Sequence, residues 1–426
     1  MKKSIKILII ICIFVATLIS TIIINLQGDN NKNNKNQVVK NNQQVKNNLR
    51  VSENLEYNEA NIVAVGDIIV HEEQLKAQFN ESTGEYNFDN NFKYVKSYIK
   101  SADMALANLE TTLAGEKQKY TGYPLFNSPS SIVDALKDCG FDILSTVNNH
   151  TIDRGSAGVF STVAEIEKRK LKVVGTRENL DKKPYIIEEV KGIKIGVISY
   201  SYETPRKGKN KTLNAIEIPS DVTKLLNTFS YEYIEEDLNK IKLQIDEMKS
   251  KGAEAIVFFI HWGNEYERQP NVHQTSIASR LCDYGVDVIV GSHPHVIQPI
   301  EFITSKKTGK KSLVVYSMGN FISNQQYERT NNRYTEDGII VNIQLKKNKT
   351  SKDITIGAVS YIPTWVHRYS ADSRLVYEVV PLIDALASKE EYNLNEDMAV
   401  WRAENSEKST RALMGKDNEI IEKTLK

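Results

Sequence analysis

Short apolar, β-branched segments alternate with longer amphipathic segments along most of the chain, and this alternation constrains the fold more than any other feature. The apolar segments include NIVAVG from residue 61, MALANL from 104, AIVFFI from 255 and VDVIV from 286. Several amphipathic segments end in a glycine shortly before an apolar one, as at Gly140, Gly252 and Gly285. A helix that ends in glycine before a strand is a common junction, so the pattern predicts an α/β domain.

Two later segments, DGIIVNIQLKK and DITIGAVSYIPTWV, follow one another without a helical segment between them. They predict antiparallel strands that join the same sheet. The chain has 426 residues, of which 40% are hydrophobic, and this leaves ample material for a large core.

The charge balance excludes a general attraction to nucleic acid, because 55 Lys and Arg residues face 54 Asp and Glu residues. An anionic ligand must therefore be attracted locally. Three cysteines, Cys12, Cys139 and Cys282, are too few for a disulfide framework. A single bridge between Cys139 and Cys282 stays open at this point.

The N-terminus predicts a membrane anchor over residues 1–26. Lys2, Lys3 and Lys6 precede an uncharged, Ile-rich segment that ends at Leu26, so residues 5–26 are long enough to cross a bilayer as a helix. A cleaved signal peptide is the alternative, but its apolar region would be shorter. The leading lysines favour an inside N-terminus, which predicts a single-pass protein of the cell membrane with its C-terminal domain extracytoplasmic.

Residues 27–60 are rich in Asn, Gln and Lys and predict a flexible linker, because they contain too few apolar residues to bury. The charged residues 366–426 predict a C-terminal helical extension. The folded domain is accordingly expected between residues 61 and 365.

Polar side chains follow five of the predicted strands. In a mostly parallel α/β sheet, ligands bind beyond the carboxyl ends of the strands, so these side chains are expected to converge. In GSHPHV, two histidines two residues apart would leave extended backbone on the same face. A surface turn is the alternative for this segment, since Gly, Ser and Pro are ordinary turn residues. The residues after the strands are Asp67, Glu110, Asn149 with His150 and Asp153, His261 with Glu265, and His293 with His295.

A set of imidazole, carboxylate and amide groups suits Mn, Fe or Zn, and six or more ligands exceed the needs of one ion. The sequence therefore predicts two divalent metal ions, which can activate water and hold a phosphoryl or acyl oxygen. Structural roles remain the alternative: Asp67 could cap a helix, Asn149 could stabilise a turn, and His261 could pack in the core. We interpret the remaining histidines as structural: His71, His273 and His367.

Six motifs occur in order along the chain: VGDIIVH, NLETTL, NNHTIDRG, HWGNEY, GSHPHVIQPIE and YSMGNFISNQ. Together they resemble the CapA/PgsA proteins of bacterial poly-γ-glutamate capsule synthesis, which belong to the calcineurin-like metallophosphoesterase superfamily. The resemblance covers residues 61–365. It implies a metallophosphatase-like sandwich of two mixed β-sheets flanked by helices.

The resemblance also implies roles for individual residues. Asp67 and His295 would bind the first metal, and Glu110 would occupy the place of a bridging aspartate. The second metal would be bound by Asn149, His261 and His293. His150 would take the place of the general acid that assists the leaving group. Ile69 stands where superfamily enzymes usually have a further metal-binding histidine.

Three functions are compatible with these features. The first is a membrane-anchored role in synthesis and export of poly-γ-glutamate or a related surface polymer, together with other membrane subunits. The second is a metal-dependent phosphatase or phosphodiesterase, and the third is a noncatalytic binding module on the same fold. The expected ligand is an anionic polymer or a phosphoester, and the sequence leaves open whether the chain is a hydrolase.

Overall fold

The computed structural model describes residues 56–414 and 419–423, and the chain from Tyr57 onward forms one compact unit. Its strands, in chain order, are β1 (Tyr57–Ile68), β2 (Phe79–Asn80), β3 (Glu85–Tyr86), β4 (Met104–Leu109), β5 (Ile143–Ser145), β6 (Lys172–Val174), β7 (Tyr185–Val190), β8 (Ile193–Tyr202), β9 (Thr204–Lys207), β10 (Asn210–Leu213), β11 (Ile216–Glu217), β12 (Thr228–Phe229), β13 (Ala255–His261), β14 (Val288–Ser292), β15 (Ile300–Thr304), β16 (Lys311–Val315), β17 (Asn320–Ile322), β18 (Asp337–Asn348), β19 (Ile354–Ala371), β20 (Arg374–Pro381) and β21 (Ile420–Glu422).

The helices flank these strands in sequence. They are α1 (Glu72–Gln78), α2 (Asp89–Phe92), α3 (Lys96–Lys100), α4 (Ser131–Cys139), α5 (Gly155–Lys168), α6 (Ile234–Ser250), α7 (Val272–Asp283), α8 (Tyr327–Thr330), α9 (Leu382–Ala387) and α10 (Asp397–Met414), with short 3-10 segments at Glu116–Gln118 and Arg333–Glu336.

Two large mixed sheets contain most of the strands. In the first sheet the order is β20-β19-β18-β1-β4-β5-β6, with β17 also paired to β1 and β21 to β19. Its members from β1 to β6 run parallel, whereas β18, β19 and β20 are antiparallel. In the second sheet the order is β12-β8-β13-β14-β16-β15, with β7 also on β8, and only β7 and β15 run antiparallel to their neighbours.

The side-chain alternation of the strands shows that the two sheets face one another. Ile62 of β1 and Val257 of β13 belong to one buried cluster between the sheets. The adjacent Val63 packs with residues of α4 on the outer face, and Phe258 packs with residues of α6 and α7. Because successive strand residues point to opposite faces, each inner strand is apolar on both sides. The predicted α/β architecture with two mixed sheets and flanking helices is confirmed.

The strands expected at the apolar segments are present, and β18 and β19 are antiparallel as the sequence indicated. The boundary expected at residues 365 and 366 falls inside β19, and the residues beyond it supply β20 and β21 as well as α9 and α10. β1 begins at Tyr57, within the segment expected as a linker, and residues 27–55 lie outside the described part. Cys139 and Cys282 are both free and buried, so no disulfide joins them.

The membrane localisation requires correction. Within residues 56–414 and 419–423, no helix is long and apolar enough to cross a membrane. The anchor expected at residues 5–26 lies outside those ranges. The assignment to the cell membrane as a single-pass protein with an extracytoplasmic domain is therefore not supported.

Strand register brings polar residues of each sheet to the same edge. Asp67 of β1 pairs with Asn108 of β4, and His261 of β13 pairs with Ser292 of β14. The two sheets meet at this edge, because the backbone N–H of His293 donates to Asp67 Oδ2 at 3.2 Å. The carboxyl ends of the central strands thus form one buried polar pocket.

Candidate metal centre

The six residues expected to bind metal lie in one buried cluster, and each is at most 3% exposed. One group of three carries ligand atoms that all lie within 4.8 Å of one another: Asp67, Glu110 and His295. A second group with the same spacing consists of Glu265, His293 and His295. His295 therefore lies between two sets of candidate ligands.

Asp67 occupies the end of β1, where the chain pairs with both β4 and β17. Its Oδ1 accepts a hydrogen bond from Asn108 Nδ2 at 2.7 Å, and its Oδ2 lies 3.2 Å from His295 Nδ1. The contact brings together two residues that the resemblance assigns to the same ion. Asp67 does not cap a helix, since α1 begins only after His71.

Glu110 follows β4 and is completely buried. Its Oε1 has no hydrogen-bond partner, although it lies 3.7 Å from His261 Nε2 and 3.8 Å from His295 Nε2. Its Oε2 accepts from Asn108 Nδ2 at 3.3 Å. A buried carboxylate oxygen without a donor is costly unless a cation balances it. Its place between two histidines is the one expected of a bridging ligand.

Asn149 and His261 come from different sheets and meet in the pocket. Asn149 Oδ1 lies 2.9 Å from His261 Nε2, and the other ring nitrogen, Nδ1, lies 2.8 Å from Ser292 Oγ. His261 is therefore held at both nitrogens by neutral polar groups. Its ring centroid is 4.8 Å from that of His293, which completes the set expected for a second ion.

The two histidines of GSHPHV lie in a turn and not in an extended strand. His293 has φ 98° and His295 has φ 55°, both in the left-handed region, so the expectation of extended backbone was wrong. Their ring centroids nevertheless lie 5.9 Å apart. His293 Nδ1 is buried without a partner, whereas His295 Nδ1 lies 3.1 Å from Asn320 Oδ1. Backbone outliers of this kind are common at ligand-binding sites.

The pKa values of the titratable side chains in the cluster are shifted in different directions by their surroundings. Burial, together with the neighbouring Asp67, raises the pKa of Glu110 well above its ordinary value. Burial and the adjacent histidines lower the pKa of both His261 and His293 well below theirs. Burial opposes the charged form of His295 as well, but contact with Asp67 raises its pKa overall. Neutral imidazoles are the form that binds metal, so His261 and His293 are already in the binding form near neutral pH.

These residues fit a divalent metal centre. Two of the buried ligand-type atoms, Glu110 Oε1 and His293 Nδ1, have no hydrogen-bond partner among the described residues, and a cation would satisfy both. The donor set combines imidazole nitrogen with carboxylate and amide oxygen, as Mn, Fe or Zn sites do. That two ions bind, and which metal they are, remain predictions.

His150 lies beside this cluster and is 6% exposed. Its Nδ1 is 2.8 Å from Asp153 Oδ2, and the same oxygen accepts from the backbone N–H of Phe126 at 2.6 Å. The Nε2 atom lies 3.4 Å from Asn214 Nδ2. Asp153 thus fixes the ring and leaves Nε2 directed to a group outside the dyad, which is the geometry of a proton donor or acceptor.

Four residues of the pocket were not anticipated from sequence. Asn108 is the centre of the polar network, since Asn148 Nδ2 also donates to its Oδ1 at 3.3 Å. Its position two residues before Glu110 on a buried strand places it on the same face, and this signal could have identified it. Ser292 and Asn320 orient His261 and His295. Asn214 lies in a loop far along the chain from the other site residues, and no comparable sequence pattern identifies it.

The remaining histidines have the structural roles expected of them. His71 begins α1 in a capping box with Gln74, and burial lowers its pKa to about 4. His273 packs against Tyr231, and His367 stacks between Trp365 and Tyr369.

Comparison with known proteins places the chain among capsule proteins. A model of the family described as "Bacterial capsule synthesis protein PGA_cap" matches residues 61–325. The "PGA biosynthesis protein CapA" of Bacillus subtilis is 29% identical over 292 residues, which cover 68% of each chain. The "Capsule biosynthesis protein CapA" of Bacillus anthracis is 26% identical over 303 residues, which cover 70% of this chain and 66% of the relative.

A solved structure described as a novel phosphatase from Mycoplasma pneumoniae covers 72% of this chain and 94% of its own at 14% identity, with a TM-score of 0.42. This likeness is too low to bear on activity. The family match spans more than half of the sequence and includes every residue of the buried cluster. The chain is therefore a member of the bacterial capsule synthesis protein family PGA_cap, the family that its motifs resemble.

Proposed function

We propose that this chain acts in the synthesis and export of poly-γ-glutamate or a related surface polymer, through a site that holds two divalent ions. The unpartnered Oε1 of Glu110, buried between His261 and His295, is the observation that carries the proposal. The names of the two Bacillus relatives support the capsule role. The proposal includes cooperation with other subunits of a polymer synthase.

In this proposal each ion has its own set of ligands. Asp67 and His295 would hold the first ion, and Asn149, His261 and His293 would hold the second, with Glu110 available to both. Such a pair of ions supplies an activated water and charge stabilisation for an acyl or phosphoryl oxygen. Asn108 Nδ2 donates to both carboxylates and holds them close to one another.

His150 and Asp153 position and transfer a proton in this proposal. His150 would donate a proton from Nε2 to the leaving group once that nitrogen has been protonated, while Asp153 holds the opposite ring nitrogen. The pocket is almost closed to water, which strengthens each charge interaction inside it.

The direct test uses cells from which the gene has been deleted. We expect loss of the anionic surface polymer, restoration by the wild type, and no restoration by Glu110→Gln. Glu236→Gln is the matched control, because the Glu236 side chain is 67% exposed on α6. Among the purified full-length wild type and variants, only Glu110→Gln should have lost bound metal. An unchanged surface after deletion, or full restoration by Glu110→Gln, contradicts the proposal.

A second candidate is a metal-dependent phosphodiesterase, which the His150–Asp153 pair beside the metal cluster favours. It predicts turnover of an aryl phosphate diester that requires His150. If His150→Ala restores the polymer completely while metal stays bound, the chain acts as a binding module and not as a hydrolase.

A further inference from the structure

A small antiparallel sheet formed by β9, β10 and β11 connects with the metal cluster from outside the two large sheets. We call residues 204–217 the hairpin arm. Leu213 and Ile216 pair across a two-residue turn, Asn214 and Ala215, whose φ angles are 46° and 59°. Positive φ at both positions is characteristic of a type I′ turn. The turn is held by Ala215 N–H, which donates to Thr204 Oγ1 at 2.9 Å.

The turn of the hairpin arm lies directly against the site. Asn214 Oδ1 accepts from Asn149 Nδ2 at 3.1 Å, while Asn214 Nδ2 lies 3.4 Å from His150 Nε2. The arm is fixed in this place because Leu213 is completely buried in a cluster with Ile152 and Val159. One end of the arm therefore adjoins both an expected metal ligand and the expected proton donor.

The rest of the hairpin arm is strongly basic in a chain that is nearly neutral overall. Residues 204–217 contain four cations and one carboxylate, Glu217, which accepts a hydrogen bond from Asn210 Nδ2 at 3.0 Å. Two of these cations pair with the buried Glu203, which contacts Arg206 at 3.0 Å and Lys211 at 2.6 Å. Lys207 and Lys209 are exposed, and no carboxylate pairs with either within the described ranges.

The spacing indicates the size of the ligand. β10 covers Asn210–Leu213, so at about 3.3 Å per residue the turn at Lys209 lies roughly 15 Å along the arm from Asn214. A small phosphoester bound at His150 would not extend that far. A polymer with a carboxylate on each repeat would contact Lys207 and Lys209 with one part while another part occupies the metal site.

We propose that the hairpin arm binds an anionic polymer, with Lys207 and Lys209 contacting its carboxylates and Asn214 lying where the polymer enters the metal site. This inference rests on the proposed function, since it names how the substrate of that same site is recognised. The arm thereby selects a polycarboxylate chain over small phosphoesters.

The test measures binding of poly-γ-glutamate of defined length to the purified full chain. We expect Lys207→Ala with Lys209→Ala to weaken binding roughly 2- to 30-fold, because two exposed ion pairs each contribute about 0.2–1 kcal/mol. The difference should shrink at high salt, which screens exposed charges. Lys207→Arg with Lys209→Arg keeps the charge and should bind like the wild type. Metal content should be the same in all variants.

Lys306→Ala with Lys307→Ala is the matched control. These two exposed lysines lie in the turn between β15 and β16, at the amino end of β16, whereas the metal cluster lies at the carboxyl ends of the parallel strands. The control should bind the polymer as tightly as the wild type. Equal binding by Lys207→Ala with Lys209→Ala, an equal loss in the control, or no detectable binding by the wild type overturns the inference.

Failure of this inference differs from failure of the proposed function. If Glu110→Gln abolishes the surface polymer but removal of Lys207 and Lys209 leaves polymer binding unchanged, only the role of the arm is refuted. If Glu110→Gln restores the polymer, the proposed function fails whatever the arm binds.

Discussion

Replacement of Glu110 by glutamine should change stability in opposite directions in metal-free and metal-loaded protein. In the metal-free protein the buried Oε1 has no donor, and the carboxylate lies beside Asp67, which contributes to its raised pKa. Glutamine keeps the shape and the acceptor for Asn108 while removing the charge. The metal-free variant should therefore be more stable than the wild type.

The magnitude follows from the contacts. Burial and the neighbouring Asp67 disfavour the ionised form of Glu110, whereas glutamine is neutral, so Glu110→Gln should raise the free energy of unfolding of metal-free protein by about 1–3 kcal/mol. Metal present at about a hundred times its dissociation constant stabilises the wild type by about 2.7 kcal/mol. The variant should lose most of that gain, because the oxygen between His261 and His295 is replaced or neutralised.

The assay is denaturant unfolding of the full chain after chelation and after loading with manganese or zinc. Glu378→Gln is the control, because Glu378 is also a buried glutamate but is paired with Lys93 at 2.7 Å. Removing this charged hydrogen bond should cost about 1–3 kcal/mol in both conditions. A metal-free Glu110→Gln that is less stable than the wild type, or one that gains as much from metal, would refute the reasoning.

Three other outcomes are expected. His150→Ala should reduce turnover of an aryl phosphate diester about 10²- to 10⁴-fold, and Asp153→Asn should also reduce it, with metal content unchanged in both; equal turnover in steady-state assays would exclude proton transfer by His150. Burial raises the pKa of Asp337 to about 7, so the stability that this group contributes is fully present below the ordinary value of 3.8 and is lost as the pH rises through 7. In the wild type this loss amounts to a free energy of unfolding on the order of 4 kcal/mol between pH 4 and 7, and Asp337→Asn should abolish it. An unaltered pH profile in denaturant titrations of the variant would contradict this prediction. Leu213→Ala should cost about 2–5 kcal/mol locally and lower hydrogen-exchange protection of residues 204–217, and unchanged protection there would show that Leu213 does not fix the arm.

The order of elements was predictable because hydrophobic periodicity acts over a few residues. The segment AIVFFI predicts strand β13, and the amphipathic segment that ends at Gly252 predicts helix α6. Both elements are present. The boundary near residue 365 was not predictable, since β19 continues through it to Ala371. Whether a polar segment adds a strand depends on an available sheet edge, which only the tertiary fold supplies.

The features of the site likewise divide into those that the sequence identified and those that it did not. Asp67, Glu110 and His261 were identifiable because each follows a buried strand, and parallel strands bring their carboxyl ends to one edge. The turn conformation of His293 and His295 was not identifiable, because it depends on contacts such as the hydrogen bond to Asp67 from another sheet.

By itself, the sequence determined the α/β class, the antiparallel portion, the family and the residue types that reach the pocket, since local periodicity and motif order express all of these. The tertiary structure alone decided that Glu110 Oε1 stands without a partner between two histidines, that Asn108 donates to both carboxylates, and that Asn214 reaches His150. Apart from the hydrogen bond between Asn108 and Glu110, those contacts join residues far apart in the chain. Their geometry follows from how the two sheets and the hairpin arm pack, and no local pattern encodes that packing.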